Sequence, residues 1–118
     1  MAKDDMLLIA YKILRYFYEC NKAGKAPTFS DMFRVLELPG VSMNYLGRIV
    51  TELSQSGYID GVRVTPTKSG NCIELKEEAG ITLKGVDYLN ENSVMKKAAS
   101  FAGKGFEILI EAIISATL

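Results

Sequence analysis

The fold of this 118-residue chain is decided by residues 42–75, which have the sequence SMNYLGRIVTELSQSGYIDGVRVTPTKSGNCIEL. The first part, residues 42–56, predicts an amphipathic helix, because its apolar residues recur at helical spacing. Those residues are Leu46, Ile49, Val50 and Leu53. Ser42 is a favourable N-cap, and Gly57 stands where a left-handed C-terminal cap is expected. The spacing and the two caps together predict a helix with defined ends.

The second part of the stretch predicts a β-hairpin, with β-forming residues on both sides of a turn-rich run at residues 66–70. Ile59 has the opposite parity from Val62 and Val64, so a regular strand cannot bury all three side chains on one face. A bulge at residues 60–61 would restore the register, and glycine suits the backbone that a bulge needs. A bulged hairpin is therefore expected.

Two further helices are predicted before this stretch. The apolar spacing of residues 4–20 indicates the first, and the run of Asn, Gly and Pro that follows ends it. Residues 28–29 are expected to be a short extended piece. Ser30 is then the predicted N-cap of a short helix that ends near Leu36.

Two more helices are predicted after the hairpin. The polar run at residues 76–80 is expected to leave the sheet, and Thr82 is expected to cap a short helix. The apolar face of that helix would consist of Leu83, Val86 and Leu89. Ser93 is the predicted N-cap of a last, long helix that runs to about Thr117.

Three helices followed by a hairpin are the order of elements in a winged helix-turn-helix. The predicted fold class is therefore α+β: a winged helix-turn-helix with additional C-terminal helices. Residues 1–92 are predicted to form the winged-helix domain. Residues 93–118 are predicted to form a C-terminal apolar helix that serves as an oligomerisation element.

Two runs also resemble a known family. They are GYIDGV at residues 57–62 and ITLKGVDYLNENS at residues 81–93, and they are similar to the YjcQ-like family of small bacterial and phage proteins. The resemblance extends over about residues 6–97, and its most specific part is the Thr-x-x-Gly-x-x-Tyr-Leu segment. It implies a winged-helix fold and, by analogy with that fold alone, DNA binding. It implies no defined ligand or reaction.

Composition excludes several classes of function. Lys plus Arg and Asp plus Glu both number 14, so the net charge is zero and binding of nucleic acid by bulk charge is disfavoured. The chain has no His, the commonest general base, and the acidic residues at 74–78 have no partner for metal or acid–base chemistry. Cys20 and Cys72 form no paired motif. No enzyme activity, metal, cofactor or small-molecule ligand is predicted, and a reduced cytoplasm is the expected location.

The helix at residues 42–56 carries a polar stripe that suits DNA. Its members are Asn44, Arg48, Thr51 and Gln55. Arg pairs with guanine, Asn and Gln pair with adenine, and Thr contacts the thymine methyl group. Tyr45 beside the stripe, and Arg63 and Lys68 in the hairpin, are predicted phosphate contacts. Every amphipathic helix has a polar outer face, however, and the acidic Glu52 lies near this one.

The last helix is apolar around most of its circumference, a pattern typical of an interface. A homodimer is predicted through Phe101, Phe106, Leu109, Ile110, Ile113 and Ile114. The alternative is a helix folded back on its own domain, with Gly103 and Gly105 permitting the bend. A membrane span is not expected, because the uncharged run at residues 112–118 is too short.

The preferred interpretation is a dimeric, cytoplasmic transcriptional regulator of bacterial or phage origin that binds double-stranded DNA. Its helix at residues 42–56 would enter the major groove. The alternative, from another functional class, is a protein–protein interaction module that uses the winged helix as a scaffold and binds no DNA. The neutral charge and the apolar last helix favour that alternative.

Overall fold

The computed structural model describes residues 1–116, and this part of the chain forms five helices and one two-stranded antiparallel sheet. In chain order the elements are α1 (Met6–Ala23), α2 (Phe29–Leu36), α3 (Met43–Gln55), β1 (Ile59–Thr67), β2 (Gly70–Ile81), α4 (Leu83–Glu91) and α5 (Ser93–Ala116). The mixed α+β class is as predicted. The last two residues of the predicted C-terminal element lie outside the described part.

Helix α1 is the centre of the core, since α2, α3, α4, α5 and β2 all contact it. Its largest buried side chains are Tyr11, Tyr16 and Phe17. The hydroxyl of Tyr16 accepts a hydrogen bond from the backbone N of Thr28 at 3.0 Å, so its polar atom is satisfied. Burial raises the pKa of Tyr16 to about 12, which keeps this hydroxyl protonated.

Helix α2 begins earlier than predicted, and the prediction of Ser30 as its N-cap was wrong. Thr28 is the N-cap, with an extended backbone and a side chain that accepts a hydrogen bond from Asp31 N at 3.3 Å. Starting the helix at Phe29 sets this ring one turn from Phe33, and the two rings stack with centroids 5.8 Å apart. Both rings pack against the core, so burial of Phe29 favours the earlier start.

The hairpin has the predicted irregularity at residues 60–61. Asp60 pairs with Gly80 and Val62 pairs with Leu75, so four residues of β2 lie opposite the single residue Gly61. Gly61 has φ of 73°, and a Cβ there would lie 2.6 Å from the Cα of Ala79. Close approach and left-handed backbone therefore both require glycine at this position.

Two expectations about the ends of the hairpin need correction. Residues 76–80 lie within β2, where Ala79 and Gly80 are buried, but residues 76–79 have no pairing partner in β1 and pairing resumes at Gly80. The strands also continue further towards the tip, where Thr67 pairs with Gly70. The predicted five-residue turn thus narrows to Lys68 and Ser69.

Helix α4 is capped by Thr82 as predicted, with Thr82 Oγ1 accepting from Gly85 N at 2.9 Å. Its predicted apolar face was wrong at Leu83, whose side chain is 90% exposed. The buried positions of α4 are Gly85 and Leu89, one turn apart. A Cβ on Gly85 would lie 2.1 Å from the Tyr58 carbonyl oxygen, so this side of α4 packs against the backbone and Leu83 points to solvent.

Helix α5 is capped by Asn92 and not by Ser93, because Asn92 Oδ1 accepts from the backbone N of Val94 and Met95 at 2.9 and 3.1 Å. The helix is interrupted at Gly103, which has φ of 73° and ψ of −170°. That conformation is essentially confined to glycine. It divides α5 into two segments, residues 93–102 and 104–116, which run in different directions.

The second segment of α5 folds back over α1, which corresponds to the alternative weighed for this helix. Three residues of the predicted dimer interface, Phe106, Ile110 and Ile113, are each 2% exposed and belong to the core of their own chain. Leu109 and Ile114 are partly buried against the same core. Only Phe101, at 49% exposure, is an open surface residue among the six. Because of the bend at Gly103, most of the apolar surface that was predicted to contact a partner packs against the core of its own chain.

Candidate nucleic-acid interface

Helix α3 turns its polar stripe to solvent. Its apolar residues pack into the core, and Ser42 caps its N-terminus by accepting from Asn44 N and Tyr45 N at 3.2 and 3.4 Å. Gly57 follows its end with φ of 80°, as predicted. Asn44, Arg48 and Gln55 are exposed and Thr51 is half-buried. The C-terminal helix packs against other elements, chiefly α1 and α4, and leaves this face open.

The hairpin is joined to α3 through Asn44. Asn44 Oδ1 accepts a hydrogen bond from the backbone N of Asn71 at 3.0 Å. One turn further along α3, a Cβ on Gly47 would lie 2.5 Å from Asn71 Nδ2, so β2 lies directly against the helix there. Neither contact was predicted. The available sequence signal was Gly47 itself, because a glycine inside a helix is unfavourable unless something packs closely on it.

The hairpin tip therefore lies beside the first turn of α3. A Cβ on Gly70 would be 3.5 Å from Asn44 Oδ1 and 3.7 Å from Met43 Cβ. Lys68 occupies the two-residue turn next to Gly70 and is exposed. The turn that contains Lys68 therefore lies near the N-terminal end of the polar stripe.

Arg48, the basic residue of the stripe, is paired with an acid. Its Nε donates to Glu52 Oε1 at 3.2 Å, with side chains that are 70% and 54% exposed. An exposed ion pair of this kind contributes little to stability and opens readily. The guanidinium can exchange Glu52 for an external acceptor, but Glu52 lowers the local positive potential.

Tyr45 is engaged within the chain. Its hydroxyl donates to the Asp4 carbonyl oxygen at 2.6 Å, and partial burial with the nearby carboxylates of Asp4 and Asp5 raises the pKa of Tyr45. The hydroxyl stays protonated and its single proton is used internally. A phosphate contact by Tyr45 would need this bond to break first.

Arg63 lies on the other side of the hairpin. Val62 and Val64 pack against the core, whereas Arg63 between them is exposed and pairs across the sheet with Glu74, which is also exposed. Because successive side chains alternate, Arg63 points away from the face that contacts α3. The structure does not bring Arg63 together with the polar stripe or with Lys68.

A cleft of about 390 Å³ lies between the N-terminus of the chain and the turn that joins α2 to α3. It is lined by Asp4, Glu37, Leu38, Pro39, Gly40, Val41, Ser42 and Tyr45. Glu37 adopts φ of 54°, a left-handed conformation that ends α2. The two carboxylates of this cleft disfavour phosphate on that side of α3, and this boundary of the site was not predicted.

Residues 1–116 contain neither a candidate metal-binding cluster nor a candidate membrane-spanning helix. No group of His, Cys, Asp and Glu in this part of the chain could hold a metal ion, and none of its helices has the length and hydropathy of a membrane span. Cys20 is buried and Cys72 exposed, and both are free thiols. Burial raises the pKa of the Cys20 thiol, which keeps it protonated and unreactive.

The geometry can be compared with known proteins. A family model described as YjcQ protein matches residues 11–104. The chain belongs to the YjcQ family. The matched part of the chain includes α2, α3, the hairpin and α4, and it ends just after the bend at Gly103. No curated protein and no solved structure gives a significant match to the chain.

Proposed function

We propose that this YjcQ-family protein is a winged helix-turn-helix protein that binds double-stranded DNA through α3. The observation that carries the proposal is the open polar face of α3 with the hairpin tip beside its first turn. A helix with side chains is about 10–12 Å across, and the major groove is about 12 Å wide. Inserting α3 would bring its exposed stripe to the edges of the bases.

Each residue of the stripe has a role set by its hydrogen-bonding groups. Arg48 would donate to a guanine, and Gln55 would pair with an adenine. Asn44 already accepts from Asn71 N through Oδ1, so its free amide hydrogens make it chiefly a donor to a base or a phosphate. Thr51, half-buried, would contact a thymine methyl group.

The phosphate contacts are few. Lys68 at the tip is the best placed, Tyr45 must give up its bond to Asp4, and Arg63 on the outer face of the hairpin would contribute least. With so few cations and no net charge, we expect weak non-specific affinity and a shallow dependence on salt. Affinity for a specific sequence would come mainly from base contacts.

The corresponding biological role is regulation of transcription in the cytoplasm of a bacterium or of a phage host, without enzymatic activity. We further propose that the protein acts as a homodimer. Two copies related by a two-fold axis would present two α3 helices to half-sites about one turn of DNA apart, roughly 34 Å.

A second candidate is a protein–protein interaction module that binds no DNA. It is favoured by the ion pair that neutralises Arg48 and by the carboxylates of the adjoining cleft. The two candidates differ in what α3 contacts, so one selection experiment separates them.

The experiment is selection from a pool of random duplexes with the full-length protein. We expect an enriched sequence motif, and Arg48→Ala should weaken binding to it by about 1–3 kcal/mol while folding is retained. Enrichment of no motif would overturn the proposal in favour of the interaction module. An enriched motif that Arg48→Ala binds equally well would remove Arg48 from base recognition.

Glu52→Gln provides a gain-of-binding variant. It releases Arg48 from its internal partner and removes one negative charge from the face of α3. We expect tighter DNA binding and a steeper dependence on salt. Glu91→Gln, an exposed acid at the end of α4, is the matched control and should leave binding unchanged. Equal effects of the two variants would show that only net charge matters.

A further inference from the structure

The second segment of α5 has an outward ridge that its own chain leaves uncovered. At helical spacing of four, three and four residues, this ridge consists of Lys104, Ile108, Glu111 and Ser115, all exposed. Ile108 is 61% exposed, a large apolar side chain in the middle of the ridge. On the opposite side of the same segment, Phe106, Ile110 and Ile113 fill the core.

The charges on the ridge are unpartnered within the described residues. The neighbouring Glu107 is held by Arg15, with Nη1 to Oε1 at 2.6 Å and Nη2 to Oε2 at 2.9 Å. Lys104 and Glu111 form no ion pair with any part of residues 1–116. Gly105 and Ala112 are two small, exposed residues that flank the ridge.

The ridge is complementary to itself. Lys104 and Glu111 are seven residues apart, about two helical turns, with Ile108 between them. In an antiparallel pair of these segments, the two Ile108 side chains meet on the two-fold axis. Lys104 then faces Glu111 of the other copy on both sides of the axis, and Gly105 faces Ala112, which allows the backbones to approach closely. A parallel pair would instead bring like charges together.

We propose that the occupant of this ridge is the same segment of a second copy of the chain, packed antiparallel about Ile108. The interface rests on the homodimer proposed above, but it differs from the set predicted from sequence, three of whose six residues are buried in their own chain. Because α5 packs on α1 and α4, dimerisation through its outer ridge leaves α3 free for DNA.

The proposed contact is small. One pair of short helices buries less than the roughly 1,200 Å² of a standard stable interface. We therefore predict a weak, reversible dimer that forms at micromolar or higher protein concentration. Specificity for the antiparallel register comes from the two symmetry-related ion pairs, since like charges placed opposite each other strongly oppose association.

The test is sedimentation equilibrium of the full-length protein and three charge variants. Lys104→Glu and Glu111→Lys each place like charges opposite each other at both ends of the interface, so each should raise the dimer dissociation constant at least about tenfold. The double variant K104E/E111K reverses both pairs and should restore dimerisation to within about threefold of wild type. Glu91→Lys, at an exposed site outside the ridge, is the control for altered net charge and should have no effect.

The possible outcomes separate the dimer from its interface. A wild-type protein that is monomeric at millimolar concentration overturns both. A dimer that the single variants leave intact, or that the double variant fails to restore, overturns the ridge alone. Ile108→Asp should abolish the dimer without unfolding the chain, as checked by circular dichroism. Failure of the DNA selection leaves every one of these results standing, because none of them measures DNA binding.

Discussion

Helices α3 and α5 both bury apolar residues in the core, but they differ in which of their remaining faces stay exposed. Helix α3 is uninterrupted, buries one apolar stripe and leaves its polar stripe open. Helix α5 has apolar residues on several sides, and its interruption at Gly103 lets the second segment bury one of those sides on α1. The polar face of α3 is thus exposed, as the sequence predicted. The apolar face of α5 that was predicted to bind a partner is instead buried within the chain.

The difference shows what hydrophobic pattern alone can decide. A helix with a narrow apolar stripe can bury only that stripe, so the sequence also predicts that its opposite face is exposed. A helix that is apolar on several sides can be covered by its own domain or by a partner, and the backbone decides between them. In α5 that decision lies in the left-handed conformation of one glycine, with φ of 73°.

The largest expected effect separates the inner and outer sides of α5. Phe106 is buried and its ring centroid lies 5.8 Å from that of Tyr11. Phe106→Ala should lower the free energy of unfolding by about 3–5 kcal/mol, because it leaves a cavity in the core. Ile108→Ala, two residues away on the outer ridge, should change it by less than about 0.5 kcal/mol. Urea denaturation, at protein concentrations too low for dimerisation, measures both changes in the free energy of unfolding. Equal changes would contradict the orientation of α5 in which Phe106 is buried and Ile108 is exposed.

The next effect concerns the bend itself. Gly103→Ala forces a side chain into a glycine-only conformation and should destabilise the protein by about 1–3 kcal/mol. A Cβ at Gly103 meets nothing within 4 Å, so the loss would come from the backbone alone.

Gly105→Ala is the matched control for the bend, since it too meets nothing within 4 Å but has no left-handed backbone. It should stabilise the helix by about 0.5–1 kcal/mol. Opposite signs at these two positions, measured by thermal or urea unfolding, would support the bend. If neither variant destabilises the protein, α5 is a continuous helix.

A smaller effect tests the ion pair that fastens α5 to α1. Arg15 holds the pKa of Glu107 below its ordinary value of 4.5. A carboxyl with a lowered native pKa contributes stability above its unfolded pKa, and that contribution disappears as the pH falls through the native pKa. Glu107→Gln should therefore reduce stability at pH 7 by at most about 1 kcal/mol and have less effect at about pH 3. Glu111→Gln, which removes an exposed carboxylate that forms no ion pair within residues 1–116, is the control, and equal losses of stability at pH 7 in the two variants would refute the ion pair.

The smallest effect concerns the junction of hairpin and α3. Asn44→Ala removes the acceptor of the Asn71 N hydrogen bond and should destabilise the protein by about 0.5 kcal/mol, the low end for a hydrogen bond, because this bond is exposed to solvent. Gln55→Ala, an exposed residue at the other end of the same stripe, should have no measurable effect on unfolding. If the two variants are indistinguishable by urea denaturation, the hairpin is not held by Asn44.

Local signals predicted most of the elements. The caps at Ser42, Gly57 and Thr82 were correct, because each depends on a few neighbouring residues. The caps assigned to Ser30 and Ser93 were displaced by Thr28 and Asn92, which are also favourable capping residues and lie two positions and one position earlier. Tertiary packing chose between them, and the sequence pattern could not.

The residue types of the candidate site could be predicted from the sequence. The tertiary contacts that hold the site together could not. The polar stripe follows from helical periodicity, whereas the contact of Asn71 with Gly47 and the bond from Tyr45 to Asp4 join distant parts of the chain. The separation of Arg63 from Lys68 depends on strand parity around an irregular register. These features require knowledge of which elements pack together.

The central claim is that the outer face of α3 and the hairpin tip form the DNA-binding surface. The most direct measurement is a titration of the isotope-labelled protein with a selected DNA duplex, followed by amide NMR shifts. The largest changes should fall on residues 43–55 and 67–71, with small changes on residues 104–116. Changes concentrated on α5, or no changes at saturating DNA, would contradict the claim.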